Sequence, residues 1–232
     1  MVSATDNRII IVAAGTGNRF GGDVPKQFAL LAGRPVLMRT VDAFRSHMPD
    51  AGICVVLSQS AIPYWETLCA QYGFESPEIV CGGSSRTASV HNALMSLRHC
   101  DDNTLVFIHD GARPIVTAEM LRREIGAFGS TGVEAVVPCT PLTDSLMTNI
   151  TNDASAVDRS TLVAVQTPQV FRAKTILKAY ASMPSDDVLT DDASVVVKYA
   201  GARIHLVEGE QKNIKITYPL DLKIAELYLA DF

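Results

Sequence analysis

Two continuously apolar tetrapeptides, Ile9-Ile10-Ile11-Val12 and Leu105-Val106-Phe107-Ile108, constrain this chain more than any other feature. Side chains of a strand alternate between its faces, so a run with no polar position must be covered on both. Sheets covered on both faces are parallel sheets flanked by crossover helices. The rest of the pattern agrees. Strands are expected at Ile9–Ala14, Ile53–Ser58, Glu78–Cys81, Thr104–His109, Ala135–Pro138 and Ile204–Glu208. Helical periodicity is expected over Pro35–Arg45, Ile62–Tyr72, Ser85–Arg98, Ala118–Phe128, Ala173–Ala181, Asp191–Tyr199 and Leu220–Leu229. Strands interleaved with helices predict an α/β fold, an open and mostly parallel sheet with helices on both faces. At 232 residues, without repeat or linker, the chain reads as a single domain, residues 1–232.

Residues 139–165 break the alternation. They are polar, Thr-rich and without helical period, and two weak strands flanking Asn152-Asp153 predict a hairpin that leaves the domain as a β-arm. Excursions of this length are commonly functional or interfacial.

The first strand runs into Ala13-Ala14-Gly15-Thr16-Gly17-Asn18-Arg19-Phe20-Gly21-Gly22-Asp23-Val24-Pro25-Lys26-Gln27, with four glycines and with Arg19 and Lys26 seven residues apart. Glycines let backbone N–H groups approach an anion, and the two cations supply fixed charge where a phosphoryl group builds up negative charge. The dinucleotide fingerprint fails because its third glycine would fall on Phe20, and the P-loop fails because Asp23 stands where lysine is required. The combination reads as a nucleotide phosphate site.

Ligands of open parallel sheets gather at the carboxyl ends of strands. There the sequence places His109-Asp110-Gly111-Ala112-Arg113-Pro114. A carboxylate at such a position can hold Mg²⁺ shared with phosphate oxygens, or it can cap a helix or pair with Arg113. His109 reads as structural, since no G-x-S-x-G nucleophile motif accompanies it. Gly82-Gly83-Ser84-Ser85-Arg86-Thr87-Ala88-Ser89 leads into a helix whose first turn carries hydroxyls, a seat for a base edge or anion, or simply a capped helix. Lys215 alternates with Ile214 and Ile216 and so belongs to the face opposite theirs.

Composition narrows the partners. A formal net charge of -5 without a Lys/Arg run gives nucleic-acid binding little electrostatic support. No stretch approaches the roughly eighteen apolar residues of a membrane span, and Met1–Arg8 lacks a signal-peptide apolar region. Five cysteines without a C-x-x-C pair predict buried reduced thiols rather than a disulfide scaffold or zinc knuckle, hence a cytoplasmic protein.

Taken together the motifs resemble those of the 2-C-methyl-D-erythritol 4-phosphate cytidylyltransferases of the non-mevalonate isoprenoid pathway. The resemblance runs from about Arg8 to Leu229. It rests on Ala13-Ala14-Gly15-x-Gly17-x-Arg19-Phe20, Pro25-Lys26-Gln27-Phe28, Gly82-Gly83-x-x-Arg86-x-x-Ser89-Val90 and His109-Asp110-x-Ala112-Arg113-Pro114. Val157-Asp158-Arg159, Thr167-Pro168-Gln169, Thr190-Asp191-Asp192-Ala193-Ser194, Glu208-Gly209 and Asn213-Ile214-Lys215-Ile216-Thr217 complete it.

The resemblance implies a Rossmann-like sheet of the nucleotide-diphospho-sugar transferase type and CMP transfer from CTP to methylerythritol phosphate, with Mg²⁺ or another divalent cation. It implies catalytic roles for Arg19, Lys26 and Lys215, and CTP contacts at Ala13, Ala14, Gly15, Gly17, Gly83, Ser84, Ser89 and Asp110. Asp110 is also implied as the metal ligand and, with Arg113, Ser145, Arg159, Thr167 and Thr190, at the acceptor. It further implies a homodimer in which the 139–165 arm carries Arg159 and Ser145 into the neighbour's acceptor pocket.

Three positions depart from the family pattern. Ser84 replaces an acidic residue, Gly111 stands where alanine is usual (a change expected to matter little), and Met147 replaces a lysine in the arm. Two rivals remain. Ribitol 5-phosphate cytidylyltransferases share the fold and the Pro-Lys-Gln block, but Ala13-Ala14-Gly15 and Ala112-Arg113-Pro114 favour the isoprenoid enzyme. A binding module without turnover would have lost a charge among Arg19, Lys26, Asp110 and Lys215, and all four are present.

Overall fold

Ile9, Ile10 and Ile11 are almost fully buried, as their unbroken apolarity requires. The computed structural model describes residues 7–15, 17, 20, 21, 24–148, 153–184, 186, 187 and 189–230. Along the chain run β1 (Arg8–Val12), β2 (Leu30–Leu31), β3 (Arg34–Pro35), α1 (Val36–His47), β4 (Gly52–Leu57), α2 (Ile62–Tyr72), β5 (Glu78–Cys81) and α3 (Arg86–Ser96). There follow β6 (Leu105–Asp110), α4 (Ala118–Ala127), β7 (Ala135–Pro141), β8 (Leu146–Met147), β9 (Ala156–Val157), β10 (Val163–Val165) and β11 (Gln169–Arg172). The chain ends with α5 (Ala173–Ser182), α6 (Asp192–Ala200), β12 (Ile204–Glu208) and α7 (Pro219–Ala230).

Eight strands form one open sheet in the order β10-β7-β11-β6-β1-β4-β5, with β12 also on β7. β1 pairs in parallel with β4 and β6, β4 with β5, and β7 with β12. Two strands absent from the sequence reading, β10 and β11, are antiparallel, so the sheet is mixed though mostly parallel. Strand alternation divides the apolar runs between two cores. Ile9, Ile11, Leu105 and Phe107 pack with Phe44, Trp65 and Met120 on one face. Ile10, Val106 and Ile108 pack with Val90, Leu94, Phe171 and Val195 on the other. A third cluster of Leu31, Val36, Ala112, Ile115, Ile216 and Ala225 fastens the segment carrying Lys215 and the inner side of α7.

The 139–165 excursion leaves and rejoins the sheet through β7 and β10, which pair with each other. Beyond them β8 and β9 pair as a separate short hairpin, Leu146 opposite Val157. Asn152 of the expected turn lies outside the described residues. The cysteines differ from expectation. All five are free, but only Cys54 and Cys69 are buried, and Cys81 is exposed. Burial pushes the Cys54 thiol up to about 12.

Candidate active site

Asp110 is the last residue of β6, one position further into the strand than the sequence reading placed it, and lies opposite Val12 at the end of β1. Its backbone N–H donates to the Thr167 hydroxyl (3.1 Å), which also bonds His109 Nδ1 (3.1 Å), while His109 Nε2 meets the Arg113 carbonyl (2.9 Å). His109 is thus a buried brace, and burial depresses it to about 4, leaving a neutral ring.

Three cations converge on the Asp110 carboxylate. Lys215 Nζ lies 2.9 Å and Arg113 Nε 3.3 Å from Oδ2, and Arg86 Nε lies 3.9 Å from Oδ1. Burial alone would raise this carboxyl, but Lys215, Arg86 and Arg113 together hold it well below the usual range. Arg86 is itself anchored by buried Asp192, 2.6 Å away at the start of α6, which also accepts from the Tyr180 hydroxyl. Removing buried Asp192 would strip Arg86 of its tightest partner, at a cost of about 3–5 kcal/mol.

The loop after β1 forms the facing wall. Lys26 opens a 3-10 turn and its Nζ donates to the Ile216 carbonyl (2.9 Å), next to Lys215. Buried Gln27 donates to the carbonyls of Ala13 (3.0 Å) and Gly15 (3.2 Å), which fixes that strand end. Gly82 lets the α3 entry approach it, since a Cβ there would stand 2.6 Å from Ala14 Cβ. The Ser89 hydroxyl accepts from Gly83 N–H (3.0 Å) and donates to the Ser85 carbonyl (2.8 Å), while Ser85 caps α3. Between the walls is a cavity of about 360 Å³ lined by Ala13, Ala14, Gly15, Lys26, Gly83, Ser84, Ser89, Asp110 and Lys215, together with Gln27 and Arg86. Of its charged lining residues, Lys26, Arg86 and Lys215 face Asp110, a surplus of positive charge in a chain whose formal net charge is -5.

Arg19 lies outside the described residues, and Gly17 lies at positive φ (68°) against Lys26. Thr167 sits behind Asp110 rather than facing the cavity. Thr190, Ser145 and Arg159 are exposed and do not line it. Arg159 instead donates to the Thr143 carbonyl across the base of the arm. Gly111 sits in close quarters. A Cβ at Gly111 would stand 2.9 Å from Ala13 Cβ and 3.2 Å from the Val12 carbonyl, so alanine does not fit here without movement. Gln27 and Arg86 were not singled out from sequence, although both lie within the quoted motifs.

A profile of the family described as 2-C-methyl-D-erythritol 4-phosphate cytidylyltransferase matches residues 8–231. The protein of that name from Porphyromonas gingivalis is 45% identical over 221 residues, covering 95% of this chain and 96% of its own. That of Phocaeicola vulgatus is 39% identical, covering 97% and 100%. Among solved structures, the Francisella tularensis 2-C-methyl-D-erythritol 4-phosphate cytidylyltransferase superposes with a TM-score of 0.79 at 28% identity, covering 95% of this chain and 99% of its own.

Proposed function

The chain belongs to the 2-C-methyl-D-erythritol 4-phosphate cytidylyltransferases, and from that membership we propose how its cavity moves CMP from CTP to 2-C-methyl-D-erythritol 4-phosphate, releasing pyrophosphate. The observation that carries the assignment of roles is the carboxylate of Asp110 at a strand end, ringed by Lys215, Arg113 and Arg86. An oxygen of the acceptor phosphate attacks the α-phosphorus of CTP, and the bond to the bridging oxygen of the β-phosphate breaks. The attacking phosphate is already a competent nucleophile, so no general base is needed. Alignment and neutralisation of charge in the transition state are the catalytic contributions.

Lys26, Lys215 and Arg19 supply that charge. Ala13, Ala14, Gly15, Gly17, Gly83, Ser84 and Ser89 surround the nucleotide, where backbone donors and acceptors can tell the exocyclic amine of cytosine from a carbonyl. Among the described residues no three His, Cys, Asp or Glu side chains gather as a metal site. Lys215 and Arg113 engage Asp110 Oδ2, but among the described residues Oδ1 has only Arg86 at 3.9 Å, which leaves it free to fit Mg²⁺, an ion commonly held by one or two carboxylates plus substrate phosphates. Asp110 would hold the ion, which supplies further neutralisation of the triphosphate.

Arg113 and Thr190 belong to the acceptor side, with Thr167 serving it from behind by holding Asp110, and the side is completed by Ser145 and Arg159 from the arm of a second copy in a homodimer. The exposure of both arm residues, with Met147 63% exposed beside them, supports this reading. Five free cysteines support a cytoplasmic location, and a formal net charge of -5 gives a nucleic-acid partner little electrostatic support. No helix among the described residues is long and apolar enough to cross a membrane.

The test is pyrophosphate release with Mg²⁺ and CTP, comparing methylerythritol phosphate with ribitol 5-phosphate. Turnover with the first alone is expected. Turnover only with the second would reassign the acceptor, and release with neither would favour a binding module.

A further inference from the structure

Behind the site, where α4 meets the segment after β12, four oxygens have no hydrogen-bond partner in the protein. They are Glu124 Oε1 and Oε2, Glu210 Oε2 and Asn213 Oδ1, all buried. Glu124 lies on the inner face of α4 beside Met120 and Leu121 and is fully buried. Glu210 uses its other oxygen fully, accepting from the Thr117 hydroxyl (2.7 Å) and Arg123 Nη2 (3.0 Å). Its backbone is clamped by Gln166, which accepts from Glu210 N–H (3.0 Å) and donates to its carbonyl (2.8 Å). Met120, one turn from Glu124, has its sulfur 3.5 Å from Asn213 Nδ2. A cluster of buried acceptors lacks a donor, and leaving buried oxygens unpaired is costly.

We propose that Glu124 is a positioning residue that remains a neutral carboxylic acid at neutral pH and donates its proton to Glu210 Oε2, which fixes the segment presenting Lys215 to Asp110. The path from that segment to the site is continuous. Asn213 N–H donates to the Glu210 carbonyl (3.0 Å), Asn213 Nδ2 holds the Thr167 carbonyl (2.8 Å), and Arg113 Nη1 donates to the Asn213 carbonyl (2.7 Å). Ile216 N–H then bonds the Ala112 carbonyl (2.8 Å), so Lys215 lies between two anchored residues. A proton on Glu124 also leaves the local charge balanced, with Glu210 compensated by Arg123.

Electrostatics agrees. Burial pushes the Glu124 carboxyl well above its usual value, Glu210 adds to the push, and Arg123 opposes it. The other charged groups on the elements packed around it are Glu119 and Arg122 on the same helix, Lys212 in the following segment, and exposed His205 and Glu208 on β12. β7 contributes only the Cys139 thiol.

The inference rests on Lys215 acting at the reacting phosphate, but its first two readouts need no turnover. Carbon-13 NMR of glutamate carboxyls in the intact enzyme should show one still protonated at pH 7, with its signal absent from Glu124→Gln. If every glutamate is ionised at that pH, the proposal fails. Thermal denaturation supplies the second readout. Above the ordinary glutamate value of about 4.3 the unfolded chain has shed a proton that the folded chain keeps, so wild-type stability falls as pH rises towards the folded value. Glu124→Gln removes this term. Its advantage over wild type should therefore widen between pH 5 and 8, by up to about tenfold per pH unit in the unfolding equilibrium. A constant gap would overturn the proposal, as would a potassium- or sodium-dependent rise in wild-type Tm at fixed ionic strength, which would put a cation in place of the proton.

The positioning role is read from kcat. Glu124→Leu, which removes the donor, should lose about fivefold or more through misplacement of Lys215, and Glu124→Gln should recover most of it. Equal kcat in the two variants and wild type would remove the role, even if the proton is where we place it.

Discussion

Asp110 and Arg159 both serve an anionic substrate in the proposed reaction, yet their surroundings differ throughout. Asp110 ends a fully buried strand and has three cationic partners. Arg159 opens an exposed 3-10 turn and bonds a carbonyl of its own arm, beside a hairpin of two-residue strands. The nucleotide half of the site is therefore preorganised by the core of one chain. The arm's hairpin strands are two residues each and carry no fully buried side chain, and in the proposed dimer the partner copy decides where the arm's side chains lie. Changes in the cavity should act on kcat, and changes in the arm on acceptor binding and assembly.

The sharpest way to break that contrast is Lys26→Ala. Lys26 is held to the Ile216 carbonyl at the mouth of the cavity. Loss of one transition-state donor of this kind typically costs 10²–10³ in kcat, about 2.7–4 kcal/mol, and that loss is expected here. Steady-state kinetics check it, and an unchanged kcat would take Lys26 out of the mechanism. On the arm, Arg159→Ala should raise the acceptor KM about ten- to a hundredfold, the scale of a charged hydrogen bond worth about 1.5–3 kcal/mol. The KM for CTP should barely move. Equal changes in both constants would mean that the arm does not serve the acceptor alone, and full activity in a monomer would dissolve the composite site.

How much of each region was legible follows from the same contrast. The apolar runs announced a sheet covered on both faces, because burial on two sides leaves no polar position free. β11 was missed because Gln169-Val170-Phe171-Arg172 is short and polar at both ends. Its Gln169 is buried for a purpose no pattern reveals, accepting from the N–H groups of Asp192 and Ala193 at the start of α6. The pairing of Arg86 with both Asp110 and Asp192 joins residues far apart in sequence, so only the fold displays it. The alternation around Lys215 did set it apart from buried Ile216, although the segment is not a strand.

Gly111 shows a constraint that only the fold displays. The space a methyl would need is taken by Ala13, whose short side chain cannot swing away. Gly111→Ala should cost about 1–3 kcal/mol through overpacking. For a chain of 232 residues that is about 2–4 °C in Tm per kcal/mol. The shift of Ala13 should also raise the KM for CTP before that for the acceptor. A variant as stable as wild type would show that the strand ends relax more freely than their packing suggests.

Ser84 gives the smallest expected effect, and tests the contrast from inside the cavity. It lines the wall but is exposed, whereas its neighbours Ser85 and Ser89 spend their hydroxyls on the α3 backbone. If the nucleotide is recognised here through main-chain groups fixed by those neighbours, the Ser84 side chain contributes no more than an ordinary surface position, about 0.5 kcal/mol. Ser84→Ala should then leave the KM for CTP within about twofold and Tm unchanged, while Ser89→Ala, which frees the Gly83 N–H from its partner, should disturb both. A tenfold rise for Ser84→Ala would mean that the hydroxyl has taken over the contact made by the acidic residue usual at this position, and that the preorganised half of the site relies on a side chain the core does not hold.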